Sequence, residues 1–121
     1  MSKKVLIIDD SSLMRQMVSF TLREASFEVL EAENGQQALK KVDGQSFDLI
    51  ITDLNMPVMD GITFIRKARE LAAVRYTPIL MLTTESQAGK KAEGKAAGAT
   101  GWIVKPFDPP RLLAVISKVL P

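Results

Sequence analysis

The sequence contains no cysteine and no histidine. The absence of cysteine excludes disulfides, thiolate-bound zinc, iron–sulfur clusters and thiol catalysis within this chain. The absence of histidine excludes a Ser-His-Asp triad, a histidine-ligated metal and a phosphohistidine on the chain itself. Any metal must therefore be bound by oxygen atoms, which favours magnesium or calcium.

Long apolar runs and an excess of one charge are also missing. No apolar run approaches the roughly 18 residues of a membrane-spanning helix, and the run at residues 5–8 is too short for a signal peptide. The 16 basic and 14 acidic residues give a net charge of +2, which does not favour nucleic-acid binding. We therefore expect a cytoplasmic protein with no membrane insertion and no nucleic-acid partner.

The sequence does contain a regular alternation of apolar runs and helical periodicities. With 121 residues it has room for one domain, residues 1–121, and we expect no output domain. The predicted strands are residues 5–8, 28–31, 47–52, 79–82 and 102–104. The predicted helices are residues 14–25, 34–42, 62–72, 86–97 and 109–120. Strands that alternate with helices predict an α/β fold with a parallel sheet between two helical layers.

Polar side chains follow four of the predicted strands, namely Asp9 and Asp10, Asp53, Thr83, and Lys105. Taken singly, each is explained as a helix cap or a solvated turn. Because the carboxyl ends of parallel strands share one edge, the side chains are expected in one cleft. Clustered carboxylates repel one another unless a cation such as Mg²⁺ neutralises them. One carboxylate could then attack phosphorus and form an acyl phosphate, while an amine and a hydroxyl stabilise the moving group.

These residues resemble the receiver domain of two-component response regulators. The resemblance rests on Asp9-Asp10, on residues 52–57 around Asp53, on Gly61, on Thr83 and on Lys105-Pro106-Phe107. It covers essentially the whole chain, and the absence of a second domain resembles the single-domain chemotaxis regulators of the CheY type. It implies a monomer with a flavodoxin-like (βα)5 fold, a three-layer sandwich whose five-stranded parallel sheet has the order 2-1-3-4-5.

The resemblance implies a role for each acidic residue. Asp53 would be the phosphoacceptor. Asp10 and Asp53 would ligate Mg²⁺ through their side chains, and Asn55 through its backbone carbonyl. Asp9 would hold a metal-bound water. The donor of the phosphoryl group would be a sensor histidine kinase, similar to CheA.

The resemblance also implies how a signal leaves the site. Thr83 would donate its hydroxyl to the phosphoryl group, and Lys105 would pair first with Asp53 and then with the phosphoryl oxygens, next to a cis Lys105–Pro106 bond. Thr83 and Trp102 would act as the switch, although Tyr or Phe is usual at the position of Trp102. The fourth helix, fifth strand and fifth helix would repack.

Two positions resemble those that set the rate of dephosphorylation in the family. Asn55 lies two residues after the phosphoacceptor, and Glu85 lies two residues after the switch threonine. The same pair is found in chemotaxis regulators that lose their phosphoryl group quickly. This resemblance implies a rapid signal.

The predicted fourth helix is expected to move easily. Gly89 and Gly94 lie inside it, and each costs about 1 kcal/mol relative to alanine. Its inward side is predicted to carry only alanines, at Ala88, Ala92 and Ala96. The alternative is that small residues allow close packing on the sheet. Basic residues that could attract an acidic partner, or form only a solvated surface, are Lys90, Lys91, Lys95, Arg111 and Lys118.

The resemblance implies a phosphorylation-activated signalling switch that catalyses its own phosphorylation and dephosphorylation and is not otherwise an enzyme. As a chemotaxis messenger it would bind the flagellar motor switch protein and a phosphatase. The first alternative is a phosphate sink or phosphorelay intermediate without a motor target. A Mg²⁺-dependent aspartyl-phosphate phosphatase is less favoured, because such enzymes usually carry an acid where Asn55 stands. A flavin binder is disfavoured because the carboxylates of Asp9 and Asp10 would repel its phosphate.

Overall fold

A five-stranded parallel sheet forms the centre of the computed structural model, which describes residues 3–84 and 88–120. The strands are β1 (Lys4–Ile8), β2 (Glu28–Ala32), β3 (Leu49–Asp53), β4 (Ile79–Thr83) and β5 (Gly101–Val104). Their order is β2-β1-β3-β4-β5, and every neighbouring pair is parallel. The predicted fold class and strand order are confirmed. Within the described ranges, no helix has the length and apolar character needed to cross a membrane.

Five α-helices connect and follow the strands. They are α1 (Ser12–Glu24), α2 (Gly35–Val42), α3 (Gly61–Ala68), α4 (Ala88–Ala97) and α5 (Pro109–Val119). Four of them begin at a side chain that accepts a hydrogen bond from the backbone N–H three residues later: Ser11, Asn34, Asp60 and Asp108. Each such cap is worth about 1 kcal/mol. The predicted helix start at Ser86 and the side chain of Ala88 lie outside the described part of the chain.

The third helix is shorter than the sequence predicts. The apolar spacing continues to Ala72, but α3 ends at Ala68 and a separate 3₁₀ turn covers Ala72–Val74. The reason is Arg69, whose guanidinium donates hydrogen bonds to backbone carbonyls of the following turn and of the segment after α4. The acceptors are Val74, Arg75, Thr77 and Gly98. These long-range contacts favour a turn over a further helical turn.

Both faces of the three central strands β1, β3 and β4 are buried, which accounts for their uninterrupted apolar runs. Successive side chains of a strand point to opposite faces. Leu6 and Ile8 of β1 pack with residues of α2 and α3. Val5 and Ile7 of the same strand pack with residues of α1 and α5. The three layers hold the carboxyl ends of the strands at one edge.

The helix α4 approaches the sheet through a glycine. Ala92 and Ala96 are exposed and Gly94 is buried, so the predicted inward position of these alanines is wrong. A Cβ atom at Gly94 would lie 2.1 Å from Sδ of Met81. The rotation of α4 is therefore set by how closely its backbone can approach β4. A Cβ atom at Gly89 would meet nothing within 4 Å.

These two glycines give opposite predictions for the same substitution. Gly89→Ala should stabilise the protein by roughly 0.5–1 kcal/mol, because alanine loses less backbone entropy in a helix. Gly94→Ala should destabilise it by about 1–3 kcal/mol, because the added methyl group overpacks against Met81. Urea unfolding of both variants measures the difference. Equal changes in the free energy of unfolding at both positions would mean that the backbone of α4 at Gly94 is not in close contact with Met81.

Candidate functional site

The three predicted aspartates lie together at the carboxyl edge of the sheet. Asp9 directly follows β1, Asp10 comes next, and Asp53 is the last residue of β3, which pairs with β1. One carboxylate oxygen from each residue lies within 4.8 Å of the others. Asp9 and Asp53 are buried, with 1% and 9% of their surface exposed, and Asp10 is exposed. The cluster therefore opens to solvent on the side of Asp10.

The carboxylate of Asp9 has the least compensated charge in the cluster. Its Oδ1 accepts a hydrogen bond of 2.9 Å from the N–H of Ser11. Its Oδ2 is buried and has no hydrogen-bond partner among the described residues. Burial, and to a smaller extent the charges of Asp53 and Asp10, raise the pKa of Asp9 to about 6, although Ser11 and Lys105 act in the opposite direction. A buried oxygen without a partner and three carboxylates form a donor set that fits Mg²⁺.

The carboxylate of Asp53 is held through one of its two oxygens. Oδ1 accepts a hydrogen bond of 2.9 Å from the N–H of Leu54. The same oxygen lies 3.3 Å from Nζ of Lys105, which directly follows β5. In the described part of the chain, Oδ2 accepts no hydrogen bond. Its lone pairs are therefore available for bond formation.

Thr83 is the last residue of β4, which lies in the sheet between β3, where Asp53 is the last residue, and β5, which Lys105 follows. Its side chain is fully buried, and its Oγ1 has no hydrogen-bond partner within the described ranges. Thr52, the residue before Asp53, is also buried, but its Oγ1 donates a hydrogen bond of 2.9 Å to the carbonyl of Asp53. A buried hydroxyl without a partner costs about 1–3 kcal/mol. A hydrogen-bond acceptor that reaches Oγ1 of Thr83 therefore stabilises the folded protein.

A close backbone contact fixes the loop after β3. The N–H of Gly61 donates a hydrogen bond of 2.9 Å to the carbonyl of Leu54. A Cβ atom at Gly61 would lie 2.1 Å from the carbonyl oxygen of Asp53, so only glycine fits there. Asn55 is exposed in this loop. Glu85, the second predicted dephosphorylation residue, lies outside the described residues.

Trp102 contacts a lysine that sequence reasoning assigned only to a basic surface. Trp102 lies beside Met81 in the β4–β5 pairing and is 41% exposed. Nζ of Lys91, in α4, lies 5.3 Å from the centroid of its ring, within the range of a cation–π contact. Lys90 forms an ion pair with Glu93 at 3.3 Å. The other predicted basic residues of this face are exposed: Lys95, Arg111 and Lys118.

Comparison with known proteins decides the family. A family model described as the response regulator receiver domain matches residues 5–117. The chain belongs to the response regulator receiver family. Receiver domains are signalling domains that are phosphorylated on an aspartate, bind Mg²⁺ at an acidic pocket and interact with histidine kinases and downstream targets. Neither the aspartyl phosphatase nor the flavin binder gains support from this match.

Individual relatives differ in what surrounds their receiver domain. The chemotaxis response regulator CheY4 of Vibrio cholerae is 52% identical, with a TM-score of 0.94 over 99% of this chain and 100% of that one. The receiver domain of the sensor histidine kinase PA1611 from Pseudomonas aeruginosa is 25% identical, with a TM-score of 0.90 over 98% and 97% of the two chains, and its structure holds a magnesium ion in the active site cleft. The transcriptional regulatory protein SrrA of Staphylococcus aureus is 38% identical over 120 residues. The chain spans about half of that relative's length, 48%.

The raised pKa of Asp9 predicts that Asp9→Asn stabilises the metal-free receiver at neutral pH. Between the ordinary pKa of 3.8 and the folded value of about 6, the native state binds more protons than the unfolded state. The stability of the wild type therefore falls as the pH rises through this window, by roughly 3 kcal/mol in all. Urea unfolding from about pH 4 to pH 8 in the presence of a chelator measures the effect.

The free energy of unfolding of Asp9→Asn should exceed that of the wild type most above about pH 6, and the excess should shrink as the solution becomes more acidic. Added Mg²⁺ should stabilise the wild type more than Asp9→Asn. A difference in the free energy of unfolding between the two proteins that does not change with pH would contradict the raised pKa of the buried Asp9 carboxylate.

Proposed function

We propose that this receiver is a phosphorylation-activated switch in which Asp53 accepts a phosphoryl group from a sensor histidine kinase. The observation that carries the proposal is the position of the Asp53 carboxylate, beside two further carboxylates, a lysine and a buried hydroxyl. Because these 121 residues contain no histidine, the phosphohistidine lies outside this sequence. The residues that act with Asp53 are Asp9, Asp10, Lys105 and Thr83.

A magnesium ion would be held by the acidic cluster. Asp10 and Asp53 would supply carboxylate oxygens and Asn55 its backbone carbonyl, while the buried Oδ2 of Asp9, which lacks a partner among the described residues, would hold a water beside the ion. When bound, the ion supplies positive charge that offsets the repulsion of the carboxylates and of the phosphoryl oxygens. The remaining chemistry belongs to the side chains of the receiver.

Asp53 acts as the nucleophile. A lone pair of Oδ2 forms a bond to phosphorus as the bond between phosphorus and the histidine nitrogen of the kinase breaks, and the electron pair of that bond stays on the imidazole. Lys105, which lies 3.3 Å from Oδ1 in the resting site, donates to the phosphoryl oxygens as their charge shifts. The receiver thus catalyses the phosphorylation of Asp53 and later the hydrolysis of the resulting acyl phosphate.

The new acyl phosphate is sensed by Thr83 and Trp102. The hydroxyl of Thr83 gains the acceptor that it lacks at rest, and its movement toward the phosphoryl group leaves space behind it. If Trp102 turns into that space, it leaves the ammonium group of Lys91. An exposed cation–π contact is worth only about 0.5–1 kcal/mol, so a few new hydrogen bonds to the phosphoryl group outweigh it. The face of α4, β5 and α5 then presents a different surface.

We further propose that the switch is a single-domain, monomeric chemotaxis messenger that diffuses through the cytoplasm from a CheA-like kinase to the flagellar motor switch protein. The 52% identity to CheY4, over the whole length of that chain, supports this proposal. Asn55 and Glu85 support a short-lived signal, which a phosphatase would shorten further. The exposed basic residues on the face of α4 and α5 suit an acidic segment of the motor protein.

A second candidate uses the same chemistry without a motor target. The receiver would then be a phosphate sink or a phosphorelay intermediate that drains its kinase. The observation that favours it is that the same fold is found in the receiver domain of a sensor histidine kinase. The two candidates differ only in what the phosphorylated face binds.

The role of Asp53 predicts that Asp53→Asn abolishes phosphorylation by a small-molecule donor such as acetyl phosphate. The amide cannot form a stable acyl phosphate, and it retains an oxygen that can accept hydrogen bonds, so the fold should persist. Asp48→Asn is the matched control, because Asp48 lies just before the opposite end of β3 and should be labelled like the wild type. Intact-protein mass spectrometry detects the added group. Phosphorylation that persists in Asp53→Asn would place the acceptor elsewhere.

The messenger proposal predicts a binding difference that the single tryptophan can report. With Mg²⁺ and beryllofluoride, a mimic of the phosphoryl group, the wild type should bind purified flagellar motor switch protein at least tenfold more tightly than it does without the mimic. Fluorescence of Trp102 should change on activation. Asp53→Asn should show neither effect.

Equal binding of the motor protein before and after activation, together with rapid phosphorylation by the kinase, would instead support the phosphate sink. A phosphoryl group that persists for hours would also contradict a rapid chemotaxis signal.

A further inference from the structure

Arg15 of α1 lies beside the acidic cluster and has no part in the mechanism above. Its side chain is only 13% exposed. Nη1 donates a hydrogen bond of 2.6 Å to the backbone carbonyl of Asp9, and Nε lies 3.2 Å from Oε1 of Glu31 in β2. The guanidinium therefore ties the loop between β1 and α1 to the neighbouring strand.

The contact with Arg15 completes the restraint of one residue, Asp9, at its backbone N–H, its side chain and its carbonyl. The N–H of Asp9 donates to the carbonyl of Ala32 at 3.2 Å, and its Oδ1 accepts from Ser11. The carbonyl of Asp9 belongs to the peptide that joins Asp9 to Asp10, and Arg15 holds that carbonyl. A rotation of this peptide would move the carboxylate of Asp10 relative to those of Asp9 and Asp53.

We propose that Arg15 is a positioning residue for the divalent-cation site, and that Glu31 holds the guanidinium in place. The proposal rests on the proposed function, since it assigns Asp9 and Asp10 to the cation. Arg15 contacts the backbone of Asp9 and not its carboxylate, so it acts through orientation. The guanidinium donates to Asp9 and Glu31 from one rigid plane, and the ammonium group of a lysine does not reproduce that geometry. Loss of such a supporting contact typically costs 10–100-fold in metal affinity.

Arg23 provides a matched control on the same helix. It lies 3.9 Å from the other carboxylate oxygen of Glu31, its side chain is 56% exposed, and it donates a hydrogen bond to the carbonyl of Val29. It shares Glu31 with Arg15, but among the described residues it bonds to Glu31 and Val29 and not to Asp9. A general effect on the α1–β2 packing would therefore be seen in both arginine variants, whereas an effect on the cation site would be seen only at Arg15.

The experiment is a calorimetric titration of the metal-free receiver with Mg²⁺. We expect Arg15→Lys to weaken binding about tenfold, Glu31→Gln to weaken it by a smaller factor, and Arg23→Lys to leave it unchanged. The backbone amide resonances of Asp9 and Asp10 should shift in Arg15→Lys before any Mg²⁺ is added. The Mg²⁺ concentration for half-maximal phosphorylation should rise by the same factor as the dissociation constant, while the maximal rate changes less.

The possible outcomes separate this inference from the proposed function. Wild-type receiver that binds no Mg²⁺ would overturn the proposed function and the inference with it. Wild-type binding with an unchanged affinity in folded Arg15→Lys, or with an equal loss in Arg23→Lys, would overturn only the role of Arg15. If Arg15→Lys does not fold, Glu31→Gln decides: weaker binding supports the proposal, and wild-type affinity contradicts it.

Discussion

Three carboxylates, with one oxygen of each within 4.8 Å of the others, repel one another at the carboxyl edge of the sheet. The apolar strands β1 and β3, buried on both faces, offset this repulsion and keep Asp9 and Asp53 at neighbouring strand ends. Lys105 compensates part of the charge through Asp53, but the buried Oδ2 of Asp9 stays without a partner in the described chain. A divalent cation held by these carboxylates would offset their repulsion, and together with Lys105 it would supply positive charge for a phosphoryl group.

The route from the site to the surface consists of contacts that are easily exchanged. Thr83 has a buried hydroxyl without an acceptor among the described residues, and the partly exposed ring of Trp102 makes a cation–π contact with Lys91. The backbone of α4 rests on Met81 at Gly94, with no side chain between them. In the proposed switch, a group that binds at the carboxyl edge would therefore need to supply only a few kcal/mol to shift this face between two packings.

The element order and the convergence of the acidic residues could be predicted from the residues, because strands buried on both faces leave apolar runs that end at the functional edge. The strand order 2-1-3-4-5 is implied only by the resemblance to receiver domains. The end of α3 could not be predicted, because Arg69 hydrogen-bonds to Gly98, 29 residues away. The rotation of α4 depends on the fit of Gly94 against Met81, and the role of Arg15 depends on Glu31, 16 residues further along the chain. Apolar periodicity carries no information on contacts between polar groups that are distant in the sequence.

We propose that Asp53, and neither of its acidic neighbours, forms the acyl phosphate. Borohydride reduces an aspartyl phosphate to homoserine, which peptide mass spectrometry can assign to one position. After treatment with acetyl phosphate and Mg²⁺, we expect homoserine at residue 53 and none when Mg²⁺ is chelated. Homoserine at residue 9 or 10, or equal labelling without Mg²⁺, would contradict it.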